Sequence, residues 1–277
     1  MTLVRGGQEL YRARFSTDSR GCRITPHPDP GPRRKFLVFL GCSFTFGEGV
    51  NDDETMPAAA ARLAPDHRVY NHGCSGHGPQ SVLARISDPN WANQIRETEG
   101  TLVYTFIDGH VRRALGLMSV MQWNQIAPYY RVAEGDRLER CGNFLTGRPF
   151  VSAAYWILGQ SEALRAFDVD IPPRLTDSHF AFAASMIEDA AREFREKFPR
   201  GRFVVMCHPR CRMAGLFIRS LRSKHIQVLD YSLRAELEDS RYFIQGDGHP
   251  NGKGYEAVTR TLLKDLGLTG AGGTDGS

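Results

Sequence analysis

The chain has 277 residues, of which 41% are apolar and 24% are charged, and its net charge at pH 7 is +4. This length suits one large α/β domain or a domain with an insertion, and the composition is ordinary for a globular protein with a sizeable core. The sequence has no long Lys/Arg run of the kind that predicts a nucleic-acid surface. No stretch of it approaches the length of a membrane span, which needs about 20 uncharged apolar residues. The first residues lack the apolar segment of a signal peptide, so we interpret the chain as cytoplasmic unless it is a piece of a longer protein.

The elements predicted along the chain alternate between strands and helices. Residues 1–34 form a polar N-terminal arm with a short strand near 11–15. Within a domain at 35–268, strands are predicted at 36–40, 67–71, 101–107, 202–207 and 226–229, and helices at 54–63, 80–97, 177–197 and 254–266. This alternation predicts a parallel sheet of five strands covered by helices on both faces. The Gly-rich tail, 269–277, is predicted to be disordered.

An insertion at about 115–175 interrupts the alternation. Residues 127–132 and 137–140, separated by Glu134-Gly-Asp136, are typical of a hairpin with a Gly turn. The insertion concentrates aromatic residues, namely Trp123, Tyr129, Tyr130, Phe144, Phe150, Tyr155 and Trp156. Two interpretations stay open here: a cap over the substrate, or an insertion whose aromatic residues form its own core.

The cysteines do not predict a metal site. The six cysteines lie at positions 22, 42, 74, 141, 207 and 211, and no two of them form a CxxC pair. The one cluster, Cys207-His-Pro-Arg-Cys211, follows an apolar run and is interpreted as the end of a strand. We therefore expect no metal and no cofactor, and free thiols in a reducing compartment.

Polar residues follow several of these strands. Ser43 comes after the first strand, a Gly-rich loop at 73–78 follows the second, and Asp247-Gly-His249 lies in the last loop. Ligands of parallel α/β sheets bind at the carboxyl ends of the strands. A serine hydroxyl is a poor nucleophile near neutral pH unless a base takes its proton, and a carboxylate next to a histidine orients such a base. The residues therefore indicate a serine hydrolase.

At these positions the chain resembles the SGNH (GDSL-like) hydrolase superfamily, over roughly residues 35–267. Its first block, Gly-x-Ser-x-x-x-Gly, is matched by Gly41–Gly47, and its second block by Asn71–Gly76. Its last block, which holds Asp and His close together, is matched by Asp247–His249. Each motif alone is weak evidence, but three motifs in the right order form a stronger signal.

The resemblance implies a fold and a set of roles. The fold is a flavodoxin-like three-layer α/β/α sandwich with a mostly parallel five-stranded sheet. Ser43 is the implied nucleophile, His249 its base, and Asp247 the carboxylate that orients the imidazole. The backbone N–H groups of Ser43 and Gly76 are the implied donors to the oxyanion.

The chain departs from the family pattern at three places. Cys42 stands where the family usually has Asp, and the last block has one residue between Asp and His where two are commoner. After the third strand the family expects an Asn that donates a third oxyanion hydrogen bond, and this chain has none there. We expect His110 to replace it, since its ring carries an N–H donor; Asp108 and Gly109 are the alternatives.

The predicted activity is cleavage of an ester through an acyl-enzyme. An O-acyl or acetyl ester is favoured, with a carbohydrate as the alcohol because aromatic rings stack on sugar faces. Two alternatives stay open: an O-acyltransferase with the same triad, and a binding module of this fold that has lost activity. No nucleic-acid partner is expected, and the sequence predicts neither the acyl group nor the oligomeric state.

Overall fold

The computed structural model describes residues 1–29, 31–167 and 169–268. The strands in this part of the chain are β1 (Thr2–Arg5), β2 (Gln8–Arg12), β3 (Lys35–Gly41), β4 (His67–Gly73), β5 (Glu99–Phe106), β6 (Pro128–Val132), β7 (Leu138–Asn143), β8 (Arg200–Cys207) and β9 (Gln227–Asp230). The helices are α1 (Ser43–Phe46), α2 (Met56–Leu63), α3 (Pro79–Ser87), α4 (Gly109–Leu115), α5 (Met118–Met121), α6 (Phe144–Gly147), α7 (Pro149–Leu158), α8 (Glu162–Ala166), α9 (Asp177–Lys197), α10 (Ala214–Ser220) and α11 (Gly252–Asp265). The tail predicted to be disordered, 269–277, lies outside the described residues.

Five parallel strands form the central sheet in the order β4-β3-β5-β8-β9. Counted along the chain within this sheet, the order is 2-1-3-4-5, which is the flavodoxin-like arrangement. The order reverses between β3 and β5, and such a switch point is where ligands of open α/β sheets bind. The predicted fold class is confirmed, whereas the division into arm, domain and tail stays a prediction.

Two hydrophobic cores cover the two faces of the sheet. Because successive side chains of a strand point to opposite faces, Phe36, Val38 and Leu40 of β3 pack on the side of α3, α4, α9 and α10. Leu37 and Phe39 pack on the other side, against α2 and α11. This two-sided burial is why the sequence of β3 is an uninterrupted apolar run.

The helix predicted at 177–197 is confirmed, and Thr176 caps it. The helix predicted at 80–97 is too long, because α3 ends at Ser87 and only a short 3₁₀ helix follows, at Ala92–Gln94. Pro89 explains the early end, since a proline disfavours helical geometry at the residue before it, here Asp88. In the arm, the structure has a hairpin of β1 and β2 in place of the single strand predicted near 11–15.

The insertion contains the predicted hairpin and a small core of its own. Strands β6 and β7 pair in antiparallel fashion. Met121, Ala127 and Phe144 are buried together nearby. In contrast, α7 leaves most of its apolar side chains in solvent, with Phe150 89% exposed and Ile157 64% exposed. Among the described helices, none has the length and apolar content needed to cross a membrane.

Candidate active site

The end of β3 delivers Ser43 to the carboxyl edge of the sheet. Cys42 is an extended residue between β3 and α1, and Ser43 is the first residue of α1. The neighbouring strand β4 ends at Gly73, where an added Cβ would lie 2.4 Å from the amide nitrogen of Phe46. A side chain at position 73 is therefore excluded, and this is what lets α1 pack directly against the end of β4.

The structure brings Ser43, His249 and Asp247 into one chain of hydrogen bonds. Oγ of Ser43 lies 2.8 Å from Nε2 of His249, and Nδ1 of the same ring lies 2.6 Å from Oδ2 of Asp247. A carboxylate only accepts hydrogen bonds, so Nδ1 carries the proton and Nε2 is left to accept from the serine hydroxyl. This is the arrangement that general-base activation of a serine requires.

The loop that holds Asp247 and His249 is fixed at both ends. The amide of Ile244 donates to the carbonyl of His249 at 2.8 Å. The side chain of Asn251 accepts from the amide of Gly254 at 3.1 Å and so caps α11. The amide of His249 also donates to Oδ2 of Asp247 at 3.4 Å. The short Asp-x-His spacing thus lets one carboxylate contact both the backbone and the ring of the histidine.

The amides of Ser43 and Gly76 belong to neighbouring loops at this edge. As the first residue of α1, Ser43 has no intrahelical acceptor for its N–H. Gly76 has a φ of +82°, which favours glycine, and an added Cβ there would lie 2.7 Å from Cζ3 of Trp123. Nδ2 of Asn124 donates to the carbonyl of Gly76 at 3.0 Å and holds this loop in place.

Comparison with known proteins gives matches among solved structures. No protein-family model matches the sequence, and neither does any curated protein. An α/β-hydrolase enzyme from the metagenome of Lake Arreo, Spain, is 12% identical with a TM-score of 0.50, over 87% of this chain and 99% of its own. A protein described as lipolytic and of the G-D-S-L family, from Desulfitobacterium hafniense DCB-2, is 14% identical with a TM-score of 0.43, over 83% and 98%. An acetyl xylan esterase from the rumen bacterium Butyrivibrio proteoclasticus is 8% identical with a TM-score of 0.48, over 87% and 66%.

At these identities the likeness concerns the fold. This chain spans the length of the Lake Arreo enzyme and has a parallel sheet in the 2-1-3-4-5 order. The chain has a flavodoxin-like α/β fold, which it shares with the Lake Arreo enzyme. This shared fold is consistent with the α/β/α sandwich that the resemblance implies.

The side chain of His110 is buried and exposes no surface to a substrate. Its ring is fully buried on α4, stacks on Tyr104, and has Nδ1 2.6 Å from the hydroxyl of Tyr104. Burial lowers the pKa of His110 well below its ordinary value, so the ring is neutral. The expected role of His110 therefore finds no support, because a side chain without exposed surface does not meet a substrate.

Asp108 has a different role from the one considered for it. Its carboxylate accepts hydrogen bonds from Sγ of Cys211 (3.0 Å) and from the amides of Arg212 (3.0 Å) and Met213 (2.8 Å). It therefore fixes the loop after β8, and an ionised carboxylate has no proton to donate to an oxyanion. Gly109 is the first residue of α4, and its part in the site stays a prediction.

Two rings at this edge, those of Phe44 and His208, were not predicted from the sequence. The ring centroid of Phe44 lies 4.8 Å from that of His249 and 4.9 Å from that of His208. His208 follows β8 directly, and burial lowers its pKa to about 4, so it is neutral beside His249. The sequence signal was the apolar run of β8, which brings the next residue to the same sheet edge as Ser43. The ring of Phe44 thus packs against both imidazoles.

The insertion reaches the Gly76 loop through Trp123, which was predicted only as one aromatic residue among several. Its ring lies against the Gly76 loop and is 55% exposed. The guanidinium of Arg113 lies 5.6 Å from the ring centroid and donates to the carbonyl of His77 at 2.9 Å. An aromatic face and a cation thus border the candidate oxyanion loop.

Proposed function

We propose that this chain is a serine esterase that works through an acyl-enzyme on Ser43. The observation that carries the proposal is the continuous hydrogen-bonded chain from Asp247 through His249 to Ser43, with contacts of 2.6 Å and 2.8 Å. The fold shared with hydrolases supports the same reaction class. A fold alone does not select a reaction, so the argument rests on the geometry of the three side chains.

The reaction proceeds in two halves. In the first, Oγ of Ser43 attacks the ester carbonyl carbon while Nε2 of His249 takes the hydroxyl proton. The tetrahedral intermediate then collapses: the bond to the alcohol oxygen breaks, His249 gives its proton to that oxygen, and Ser43 keeps the acyl group. In the second half, water gives a proton to His249 and attacks the acyl carbon. The bond from this carbon to Oγ of Ser43 then breaks and His249 returns the proton to Oγ, which releases the acid and free Ser43. Asp247 stays ionised throughout and stabilises the imidazolium.

Two backbone amides serve the negative charge that develops on the carbonyl oxygen. The N–H groups of Ser43 and Gly76 are directed, in this proposal, at the oxyanion of the tetrahedral intermediate. Removing one donor of this kind from a well-studied serine hydrolase lowers kcat about 10²- to 10³-fold. The side chain of Asn124 supports this role indirectly, since its bond to the Gly76 carbonyl holds the loop in place.

The substrate that fits the surroundings is a small O-acyl ester on a carbohydrate. The half-exposed ring of Trp123 next to the Gly76 loop offers a flat apolar face. Such a face packs against the C–H groups of a sugar ring. The acyl group is short in this proposal, because Phe44 and His208 already fill the space beside the imidazole.

Hydrolysis of aryl acetate and aryl octanoate by wild type, Ser43→Ala and His249→Ala tests the proposal. We expect wild type to prefer the acetate, and both variants to lose at least about 10³-fold in kcat/KM. A matched control is Ser232→Ala, because its hydroxyl bonds only to Asp230 among the described residues. Wild type that hydrolyses neither ester, or a Ser43→Ala variant that keeps full activity, would refute the proposal.

A further inference from the structure

The N-terminal arm contributes a buried arginine to the turn that carries Ser43. The side chain of Arg23 is 1% exposed. Its guanidinium donates to the carbonyls of Phe46 (3.0 Å), Gly47 (2.6 Å) and Val50 (2.8 Å), and through Nε to the carboxylate of Asp52 (2.9 Å). Three of these four contacts are to main-chain carbonyls in the segment that begins with α1. The carbonyls at the end of a helix have no intrahelical donors. Arg23 donates hydrogen bonds to those of Phe46 and Gly47 at the end of α1.

Aromatic rings hold this guanidinium in place. Its central carbon lies 5.5 Å from the ring centroid of Phe15 and 5.0 Å from that of Phe46. The two rings themselves meet edge to face at 5.1 Å. Burying a charge is costly unless it is paired and hydrogen-bonded, and here Asp52 and the carbonyls provide both. A planar group with several donors in fixed directions matches this set of acceptors, and a lysine ammonium does not.

The arm also contacts the other two loops of the site. Arg5 donates to the carbonyl of Gly246, next to Asp247, at 2.7 Å. The hydroxyl of Tyr11 donates to Glu48 at 3.3 Å, and the same carboxylate accepts from Ser75 of the Gly76 loop at 2.7 Å. Residues 5–23 therefore join the loops that carry the nucleophile, the candidate oxyanion donor and the histidine.

We infer that Arg23 is a positioning residue of the esterase site, acting through the carbonyls that it binds at the end of α1. This inference rests on the proposed function. Both Oγ and the amide of Ser43 belong to the first residue of α1, so a small rotation of this one-turn helix displaces the nucleophile and an oxyanion donor together. A displacement of about 1 Å at a reacting group costs about 10²-fold in rate.

The test compares Arg23→Lys with Arg12→Lys. Arg12 lies in the same arm, is exposed, and its side chain forms hydrogen bonds only with Glu9 among the described residues. Steady-state kinetics on aryl acetate are measured at a temperature where circular dichroism shows both variants folded. We expect kcat of Arg23→Lys to fall about 10- to 100-fold with KM within about twofold, and Arg12→Lys to match wild type. The pH of half-maximal kcat should not move, because the His249–Asp247 pair is untouched.

A second variant covers the case in which Arg23→Lys does not fold. Phe15→Leu removes one ring from the guanidinium while changing a side chain that is 37% exposed. We expect its kcat to fall about two- to fivefold and its KM to stay constant. Wild-type kcat in folded Arg23→Lys, or in Phe15→Leu when the first is unfolded, would overturn the inference. Inactive wild-type protein with unmodified Ser43 would instead overturn the proposed function.

Discussion

The sheet edge that carries Ser43 and helix α7 of the insertion place their side chains in opposite environments. At the edge, polar side chains fix each loop: Arg23 holds the turn after Ser43, Asn124 holds Gly76, and Asp108 holds the loop after β8. In the insertion, α7 has Ser152 as its buried residue and exposes Phe150 and other apolar side chains.

The difference between the two regions matches their roles in the proposed reaction. A nucleophile, a base and oxyanion donors must stay in place, and hydrogen bonds to main-chain groups provide that order. The insertion contributes Trp123 and Asn124 next to Gly76, whereas its helix α7 leaves most of its apolar side chains exposed. Disturbing the edge should therefore change activity strongly, whereas disturbing α7 should change little.

The largest effect is expected for Asp247→Asn. The amide keeps the shape of the carboxylate but favours the wrong tautomer of His249, so kcat should fall about 10⁴-fold. Aryl acetate hydrolysis measures this, with Asp189→Asn as control, because Asp189 pairs with Arg192 on the surface of α9. Retention of a tenth of the wild-type kcat in Asp247→Asn would show that this carboxylate does not orient the base.

The next largest effect on kcat is expected for Gly76→Ala, and Gly135→Ala in the insertion is its comparison. Gly76→Ala and Gly135→Ala both place a side chain at a positive φ, +82° and +73°, but only the first meets an atom, Cζ3 of Trp123 at 2.7 Å. Each should lose about 1 to 2 kcal/mol of unfolding free energy, measured by urea denaturation. Gly76→Ala should also lose about tenfold in kcat, because the shifted amide no longer meets the oxyanion. Equal kcat in the two variants would remove Gly76 from the oxyanion site.

A smaller effect concerns acid stability at the edge. Burial is the main reason why the pKa of His208 is lowered to about 4, from 6.5 for an exposed imidazole. Between these values the unfolded chain binds a proton that the folded chain does not, so the free energy of unfolding falls as pH drops from about 6.5 to about 4. His208→Asn should remove up to about 1.4 kcal/mol per pH unit from this slope. Urea denaturation at pH 7 and pH 5 measures it, and an unchanged slope would contradict the assignment.

The smallest effect is expected on α7. Ile157→Lys replaces a side chain that is 64% exposed, so the free energy of unfolding should change by less than about 0.5 kcal/mol, with kcat unchanged. Thermal and urea denaturation measure the first quantity, and aryl acetate hydrolysis the second. A loss above about 1 kcal/mol would show that another surface covers α7 in solution.

The sheet and the Ser43–His249–Asp247 arrangement were predictable because their signals are local. An uninterrupted apolar run as long as that of β3 indicates a strand that is buried on both faces of the sheet. The residue that follows such a strand lies at the carboxyl edge of the sheet. A Ser at that position, together with an Asp-x-His loop before the last helix, then specified which side chains would meet. The helix over 177–197 was predictable for the same reason, since its apolar spacing and its cap lie within its own sequence.

The supporting contacts were not predictable from the sequence. Arg23 binds main-chain carbonyls. Because every residue has such a carbonyl, no sequence pattern indicates which ones Arg23 binds. His110 lies at the position in the chain that the family pattern suggests, but it pairs with Tyr104 in the core. Its direction depends on where α4 begins relative to β5, and helix boundaries are the part of a fold that local sequence determines least.

The central claim is that Ser43 is a nucleophile activated by His249. A fluorophosphonate reagent tests it directly, since the reagent phosphonylates an activated serine and peptide mass spectrometry locates the adduct. We predict one adduct, on the peptide that contains Ser43, formed by wild type and absent in His249→Ala and Ser43→Ala. Folded wild-type protein that carries no adduct, or an adduct at Ser43 formed equally fast in His249→Ala, would contradict the account.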